Sequence, residues 1–246
     1  MITFTLTNKI RSMPKNLILA STSTIYGGGY LDYLLPTLKK HFKSSPEILF
    51  IPYARPGGLS YDAYTAIAQK AFRKIDKKVI GIHKHKDPIS AIQNAQAIFT
   101  GGGNTFELVN QLYKNELMPV LRKVLYDGTP YLGTSAGSNI SGLTMQTSND
   151  MPIVFPPSFK TLGMIPFNIN PHYQDPIQGD THMGETRETR INEFHNYNTI
   201  PVIGLREGSW LDVSDKTITL QGGLNARVFE KGIEPYEIQS GATLHF

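Results

Sequence analysis

The feature that most constrains the fold is a regular alternation of short apolar segments and amphipathic segments over residues 16–135. The apolar segments have the length of buried strands, and the segments between them carry apolar residues at helical spacing. Continuous apolar strands separated by helices predict an α/β fold, with a mostly parallel sheet flanked by helices on both faces. The predicted strands are 16–21, 47–54, 78–83, 97–103 and 130–135, and the predicted helices are 30–43 (with a kink at Pro36), 60–75, 87–95 and 104–128, the last containing two short helices.

The pattern changes after residue 140. Proline-rich loops follow, as in ordered excursions around an active site, and a helix is predicted over 184–197. Residues 201–223 predict a strand and then a β-hairpin that turns near Ser214 and Asp215, and short edge strands complete this C-terminal region. No linker or repeat interrupts the chain, so we expect one domain over 13–246, preceded by an N-terminal extension over 1–12 that contributes little to the fold.

Composition excludes several classes of function. The 246 residues carry a net charge of only +4, without a basic stripe interleaved with aromatic residues, so we expect no nucleic-acid partner. No apolar run approaches the roughly 20 residues of a membrane span, and the N-terminus makes a poor signal peptide. Cysteine is absent, which excludes disulfides, thiolate metal sites and a cysteine nucleophile, and fits a cytoplasmic location.

The stretch "GTSAGSN", residues 133–139, follows a predicted strand and contains Gly-x-Ser-x-Gly. Such an elbow projects its serine, here Ser135, into a cleft, and the neighbouring positions must be small because the backbone there is crowded. Gly133, Ala136 and Gly137 meet that requirement. The alternative interpretations are a glycine-rich phosphate-binding turn and a simple helix N-cap.

A nucleophilic serine needs a base, and His172 is the histidine best placed for that role. It follows the apolar segment "FNIN" and Pro171, which predicts a side chain fixed at a strand end. The pair His83 and His85 has a spacing that can bind metal, but no carboxylate motif accompanies it. We therefore predict no metal and no cofactor.

Two carboxylates compete to orient His172. Glu207 ends an apolar strand, so we expect it at the same sheet edge as the serine elbow, whereas Asp150 precedes an apolar segment between the serine and the histidine. The segment "GGGNTF" suits an oxyanion site, because consecutive glycines allow backbone N–H groups to approach a ligand closely. We expect these donors to be Gly102, Gly103 and Ala136.

Six ordered motifs, "FTGGGNTFEL", "YLGTSAGSN", "TSNDMPIV", "NINPHYQD", "GETRETRI" and "IGLREGSW", together resemble the peptidase E (alpha-aspartyl dipeptidase) group of serine peptidase family S51. The resemblance extends from about Lys15 over nearly the whole chain. It implies a fold like that of class I glutamine amidotransferases, which is flavodoxin-like. It also implies catalytic roles for Ser135, His172 and Glu207, although Asp150 has been assigned to the triad in this family as well.

The resemblance further implies hydrolysis of dipeptides with an N-terminal aspartate. A guanidinium or an amide is suited to bind the aspartyl carboxylate, and Arg187 and Asn104 are the residues that match. We therefore expect a serine dipeptidase, monomeric or homodimeric, that acts on small peptides. The alternatives are a cyanophycinase-like hydrolase of β-aspartyl-arginine, an ordinary α/β-hydrolase esterase, and a non-catalytic module that binds a small anion.

Overall fold

The apolar segments of the first half form the parallel part of a mixed eight-stranded sheet, in the order β12-β9-β8-β1-β5-β4-β2-β3. The computed structural model describes residues 14–176, 179 and 183–245, so the predicted extension over 1–12 lies outside the described residues. Strands β1 to β5 pair in parallel, and β8, β9 and β12 add an antiparallel edge beside β1. The strands of this sheet are β1 (Asn16–Ala20), β2 (Glu47–Ile51), β3 (Lys78–Gly81), β4 (Ile98–Thr100), β5 (Tyr131–Thr134), β8 (Ser209–Ser214), β9 (Thr217–Gly222) and β12 (Thr243–Leu244).

Helices cover both faces of this sheet, so the predicted fold class is confirmed. On β1, Ile18 and Ala20 pack into the apolar cluster that contains the first two helices, whereas Leu17 and Leu19 pack into the cluster that contains the next three. Successive strand residues point to opposite faces, so these strands are apolar throughout. The helices are α1 (Leu35–His41), α2 (Tyr61–Phe72), α3 (Pro88–Gln93), α4 (Thr105–Lys114), α5 (Leu117–Tyr126), α6 (Ala136–Asn139) and α7 (Arg187–Tyr197).

Two helix beginnings show how local chemistry sets the element boundaries. Ser60 caps α2, since its hydroxyl accepts a hydrogen bond from the N–H of Ala63. The predicted kink at Pro36 is wrong: Pro36 lies in the first turn of α1, after a 3-10 turn at Asp32–Leu34. Proline fits there because a helix leaves its first N–H groups without an intrahelical partner.

A second sheet of four strands, ordered β11-β10-β7-β6, was not predicted as a separate layer. Strands β6 and β7 pair in parallel, and β10 and β11 continue the sheet antiparallel. The expectation that Glu207 follows a strand of the same sheet as the serine elbow is therefore wrong, although the predicted hairpin β8–β9 is confirmed. The strands of the second sheet are β6 (Asn168–Pro171), β7 (Val202–Leu205), β10 (Ala226–Glu230) and β11 (Ile233–Ile238).

The topology brings the carboxyl ends of four strands from two sheets together. In the large sheet, β4 ends before the glycine run and β5 ends before Ser135. In the small sheet, the parallel pairing of β6 and β7 sets Pro171 opposite Leu205, so the segments that follow leave the sheet side by side. No helix in the described ranges is long and apolar enough to cross a membrane.

Candidate active site

Ser135 occupies a sharp turn between β5 and α6. Its backbone has φ 53° and ψ −111°, outside the conformations that a serine ordinarily adopts. The neighbouring glycines are required by close packing: a Cβ on Gly133 would lie 2.5 Å from the carbonyl oxygen of Gly137, and one on Gly137 would overlap the carbonyl of Thr100. The turn is therefore a strand-to-helix elbow with no room for larger neighbours.

The side chain of His172 connects Ser135 to Glu207. Its Nε2 lies 2.8 Å from Ser135 Oγ, and its Nδ1 lies 2.6 Å from Glu207 Oε1. An ionised carboxylate can only accept hydrogen bonds, so Nδ1–H is the donor to Glu207. In the neutral ring Nε2 then carries a lone pair and accepts from the Ser135 hydroxyl, which is the arrangement that a general base requires.

The backbone of His172 is held by a residue from the large sheet. His172 has φ 54°, in the left-handed region, and its N–H donates to Ser21 Oγ at 2.9 Å. The Ser21 hydroxyl in turn donates to the carbonyl of Leu205 at 2.6 Å. Ser21 directly follows β1 and is fully buried. Its two hydrogen bonds therefore connect the ends of β6 and β7 to the large sheet.

Asp150 binds the beginning of α4, whereas the two ring nitrogens of His172 bond Ser135 and Glu207. Its Oδ2 accepts hydrogen bonds from the N–H of Thr105 at 2.8 Å, the hydroxyl of Thr105 at 2.6 Å and the hydroxyl of Ser148 at 2.8 Å. A carboxylate at a helix N-terminus is stabilised by unpaired N–H groups and by the helix dipole. Of the two candidate acids, only Glu207 is hydrogen-bonded to His172 in this structure.

The glycine turn after β4 lies directly against Ser135. A Cβ on Gly102 would lie 2.9 Å from Ser135 Cβ, so another residue there would displace the nucleophile. The carbonyl of Gly102 accepts hydrogen bonds from Arg55 Nε and from the Tyr64 hydroxyl, both at 3.1 Å. Because a trans peptide sets its N–H opposite its C=O, this anchoring also fixes the direction of the Gly103 N–H.

Backbone donors near Ser135 remain available for a ligand. Within the part of the chain that the structure describes, the N–H groups of Gly102, Gly103 and Ala136 make no hydrogen bond to another residue. The N–H of Ala136 is one of the unpaired donors at the first turn of α6. These three groups are the ones expected to serve as oxyanion donors, and that role stays a prediction.

The expected carboxylate-binding residues, Asn104 and Arg187, differ in the hydrogen bonds and ion pairs that they form within the protein. Asn104 caps α4, with its side-chain oxygen accepting from Glu107 N–H at 3.1 Å and its amide donating to the Met151 carbonyl at 2.9 Å. Arg187 begins α7, and among the described residues no carboxylate forms an ion pair with it. Burial and the charge of Arg190 lower the pKa of Arg187, while the charge of Asp150 raises it.

The site also contains residues that sequence reasoning missed. Ser21 and Arg55 follow β1 and β2, at the sheet edge where the site lies. Their position after buried strands was the available signal, since ligands bind beyond the carboxyl ends of such strands. Tyr64 had no such signal, because it lies inside α2, where an aromatic residue is expected to pack in the core.

His83, one of the two histidines whose spacing can bind metal, contacts a carboxylate in the structure. His83 Nε2 lies 2.7 Å from Asp62 Oδ1, and Lys84 pairs with the same carboxylate oxygen at 2.6 Å. In the ranges 14–176 and 183–245 we find no group of three or more histidine, aspartate or glutamate side chains placed to hold a metal ion. His83 is therefore bound by Asp62, an exposed carboxylate that it shares with Lys84.

Comparison with known proteins identifies clear relatives. The model of peptidase family S51 matches residues 17–221. A Streptomyces coelicolor protein named Peptidase E is 45% identical over 229 residues, covering 93% of this chain and 93% of that protein. A Drosophila melanogaster protein named probable alpha-aspartyl dipeptidase is 43% identical over 235 residues, covering 94% of this chain and 97% of that protein.

Two solved structures share the fold at low sequence identity. The crystal structure of a peptidase from an acI-B1 Actinobacterium has a TM-score of 0.73 and 16% identity, covering 96% of this chain and 98% of that chain. A putative peptidase E from Listeria monocytogenes has a TM-score of 0.64 and 20% identity, covering 86% of this chain and all of that chain (100%).

Proposed function

The chain belongs to peptidase family S51, and we propose that it is a serine dipeptidase that hydrolyses dipeptides with an N-terminal aspartate. The observation that carries the proposal is the hydrogen-bonded series from Ser135 Oγ through His172 to Glu207, with distances of 2.8 and 2.6 Å. The names of the two sequence relatives, Peptidase E and probable alpha-aspartyl dipeptidase, support the substrate class.

In the proposed mechanism Ser135 Oγ attacks the peptide carbonyl while its proton passes to His172 Nε2. The tetrahedral intermediate breaks down as the imidazolium gives this proton to the leaving amine, which leaves an aspartyl ester on Ser135. A water molecule then attacks the ester, with His172 again acting as the base, and aspartate is released. Glu207 stabilises the imidazolium when it forms, and it holds the neutral ring of His172 in the required tautomer.

The negative charge of the tetrahedral intermediate requires hydrogen-bond donors that are already in place. We propose that the N–H groups of Gly102, Gly103 and Ala136 supply them. The bonds from Arg55 and Tyr64 to the Gly102 carbonyl support this role, because they orient and polarise the peptide group between Gly102 and Gly103.

Recognition of the aspartyl side chain is proposed to depend on Arg187, with Asn104 in a supporting role. Arg187 is partly buried and has no ion-pair partner among the described residues, so its guanidinium is available to a carboxylate. Asn104 caps α4 and retains one amide N–H for the substrate. Asp150 stabilises the beginning of α4 and provides a nearby negative charge for Arg187.

The substrate class is tested with a panel of purified peptides. We expect Asp-Leu to be hydrolysed with a kcat/KM at least about 100-fold above that of Asn-Leu or Ala-Leu, because only Asp-Leu offers a side-chain carboxylate to Arg187. β-Aspartyl-arginine is included to examine cyanophycinase-like activity. Faster hydrolysis of β-aspartyl-arginine than of Asp-Leu, or no preference for aspartate, would reject the proposal.

The role of Arg187 is tested by Arg187→Ala, with Arg190→Ala on the same helix as the matched control. Loss of a hydrogen-bonded ion pair with the substrate should raise KM for Asp-Leu by about 10- to 100-fold. Turnover of Ala-Leu should stay unchanged, and Arg190→Ala should behave as the wild-type protein does. Equal losses on Asp-Leu and Ala-Leu would contradict a role in recognising the side chain.

We propose further that the protein works in the cytoplasm, as one domain over 13–246, in a monomeric or homodimeric form. The absence of cysteine from the chain fits a reducing compartment. Cell fractionation tests the location, and light scattering of the purified protein tests the oligomeric state.

A further inference from the structure

Arg206 is the most extensively hydrogen-bonded side chain near the site. Its five N–H groups all donate: Nε and one terminal nitrogen bind Asp175 at 2.8 and 2.6 Å, both terminal nitrogens bind Glu237 at 2.9 Å, and one binds the carbonyl of Asn225 at 2.8 Å. The side chain is only 17% exposed. An arginine saturated in this way holds its partners in a fixed geometry, because the guanidinium is planar and its donors are directional.

The residues that Arg206 connects flank the His172–Glu207 pair. Arg206 immediately precedes Glu207, and Asp175 lies three positions after His172. The Arg206 guanidinium also stacks over the ring of Tyr173, 5.5 Å from its centroid. One side chain therefore joins the segment that leaves β6 to the segment that leaves β7.

The pair needs such support because it lies at an open end of the small sheet. The side chains of His172 and Glu207 are 35% and 48% exposed, and His172 has a left-handed backbone. Beyond the last paired residues of β6 and β7, the backbone contributes the bond from Tyr173 N–H to the Leu205 carbonyl, at 3.2 Å. A short imidazole–carboxylate bond at an exposed strand end is sensitive to small shifts of either segment.

We propose that Arg206 is a positioning residue for the reaction: it fixes the imidazole of His172 against the carboxylate of Glu207 by tying their flanking segments to one guanidinium. This proposal rests on the proposed catalytic role of His172 and Glu207. Arg206 does not contact the reacting atoms and acts through the backbone on both sides. Lysine cannot replace it, since a single ammonium does not reproduce a planar set of five donors.

The test compares Arg206→Lys and Asp175→Asn with the wild-type protein, using Asp-Leu hydrolysis and proton NMR. We expect kcat to fall by about 10- to 100-fold with KM changed less than about 2-fold, since the misplacement affects the chemical step. The downfield proton signal of the His172 Nδ1–H, assigned with His172→Ala, should weaken or shift in both variants. The exposed Asp175 carboxylate can be changed without disturbing the core, so its variant decides the question if Arg206→Lys does not fold.

Arg122→Lys is the matched control, because Arg122 also donates to a loop, through the carbonyls of Thr161 and Leu162, but contacts neither segment that flanks the pair. It should keep the wild-type kcat and NMR signal. An unchanged kcat and an unchanged signal in a folded Arg206→Lys or Asp175→Asn protein would overturn the proposal, as would an equal loss of kcat in Arg122→Lys. If the wild-type protein does not hydrolyse Asp-Leu, the proposed function fails, and the NMR comparison still tests the positioning role.

Discussion

Ser135 shows how one residue can fix the sequence around it. Its backbone, with φ 53° and ψ −111°, is unfavourable for a serine by about 1–3 kcal/mol, so the surrounding structure must maintain it. Hydrogen bonds from the N–H groups of Ser138 and Asn139 to the Ser135 carbonyl begin α6 and close the turn. The same closure brings Gly137 against the carbonyl of Thr100, which accounts for the second glycine of the motif. The motif is thus a consequence of local packing as well as of chemistry.

Glu207 and Asp150 illustrate what sequence alone cannot decide about single residues. Both are acids next to apolar segments, and both suit a triad by chain order. The distinction depends on contacts between distant segments: Glu207 meets a residue 35 positions away, and Asp150 meets one 45 positions away. Ser21 likewise reaches His172 through a contact between distant segments, since the two residues are 151 positions apart.

Replacing each acid by its amide separates their roles. Glu207→Gln should lower kcat for Asp-Leu by about 100-fold or more, because an amide can stabilise the wrong tautomer of His172 and cannot stabilise the imidazolium. Asp150→Asn should mainly raise KM and lower the free energy of unfolding by about 1 kcal/mol, as the first turn of α4 loses a charged acceptor. Steady-state kinetics and urea unfolding measure both effects. A larger kcat loss in Asp150→Asn than in Glu207→Gln would reverse the assignment.

At the level of elements, the first half of the chain was largely predictable and the second half was not. Strands β1, β2, β4 and β5 are continuous apolar segments between amphipathic helices. That pattern predicts a parallel sheet covered by helices on both faces. Strands β6 and β7 are equally buried, but four residues do not specify a neighbour, so their separation into a second sheet depends on the packing of the whole chain. The sequence indicated that His172 and Glu207 follow strands, but not which sheet contains them.

The contact between α2 and the glycine turn after β4 supports a prediction at this scale. Tyr64→Phe removes one of the two donors to the Gly102 carbonyl and keeps the ring. We expect kcat for Asp-Leu to fall by about 3- to 10-fold with KM unchanged, since the glycine turn after β4 loses one net hydrogen bond of about 1 kcal/mol. Tyr113→Phe, which loses a bond to the Lys160 carbonyl elsewhere, is the control. Equal kinetics in Tyr64→Phe and the wild-type protein would exclude this contribution.

At the scale of the whole molecule, the distance from serine to histidine depends on how the two sheets pack. Residues of the large sheet, such as Leu17 and Leu211, share one apolar cluster with Ile169 and Ile203 of the small sheet. Ser21 adds the polar connection between them at the site. A change that loosens the common core should therefore reduce catalysis before it unfolds the chain.

His41 links the global stability of the fold to pH. At the end of α1 its Nε2–H donates to the Tyr131 carbonyl at 3.1 Å, and burial lowers its pKa from 6.5 to about 4, against the opposing effect of that hydrogen bond. Between these two values the unfolded chain binds the proton and the folded protein does not. Stability from His41 is therefore complete above pH 6.5 and is lost as the pH falls towards 4.

His41→Gln tests this linkage by urea unfolding at several pH values. Glutamine keeps a donor for the Tyr131 carbonyl and does not titrate. Between pH 7 and pH 4 the free energy of unfolding of the wild-type protein should fall by on the order of 2–3 kcal/mol more than that of the variant. Parallel pH dependences for the two proteins would contradict the assignment.

The central claim is that Ser135 is the nucleophile of an aspartyl dipeptidase, and the kcat of Ser135→Ala on Asp-Leu tests it most directly. The variant should fold as the wild-type protein does and lose on the order of 10⁴-fold or more in kcat, because the covalent pathway is closed. A folded Ser135→Ala protein that hydrolyses Asp-Leu at the wild-type rate would contradict the claim.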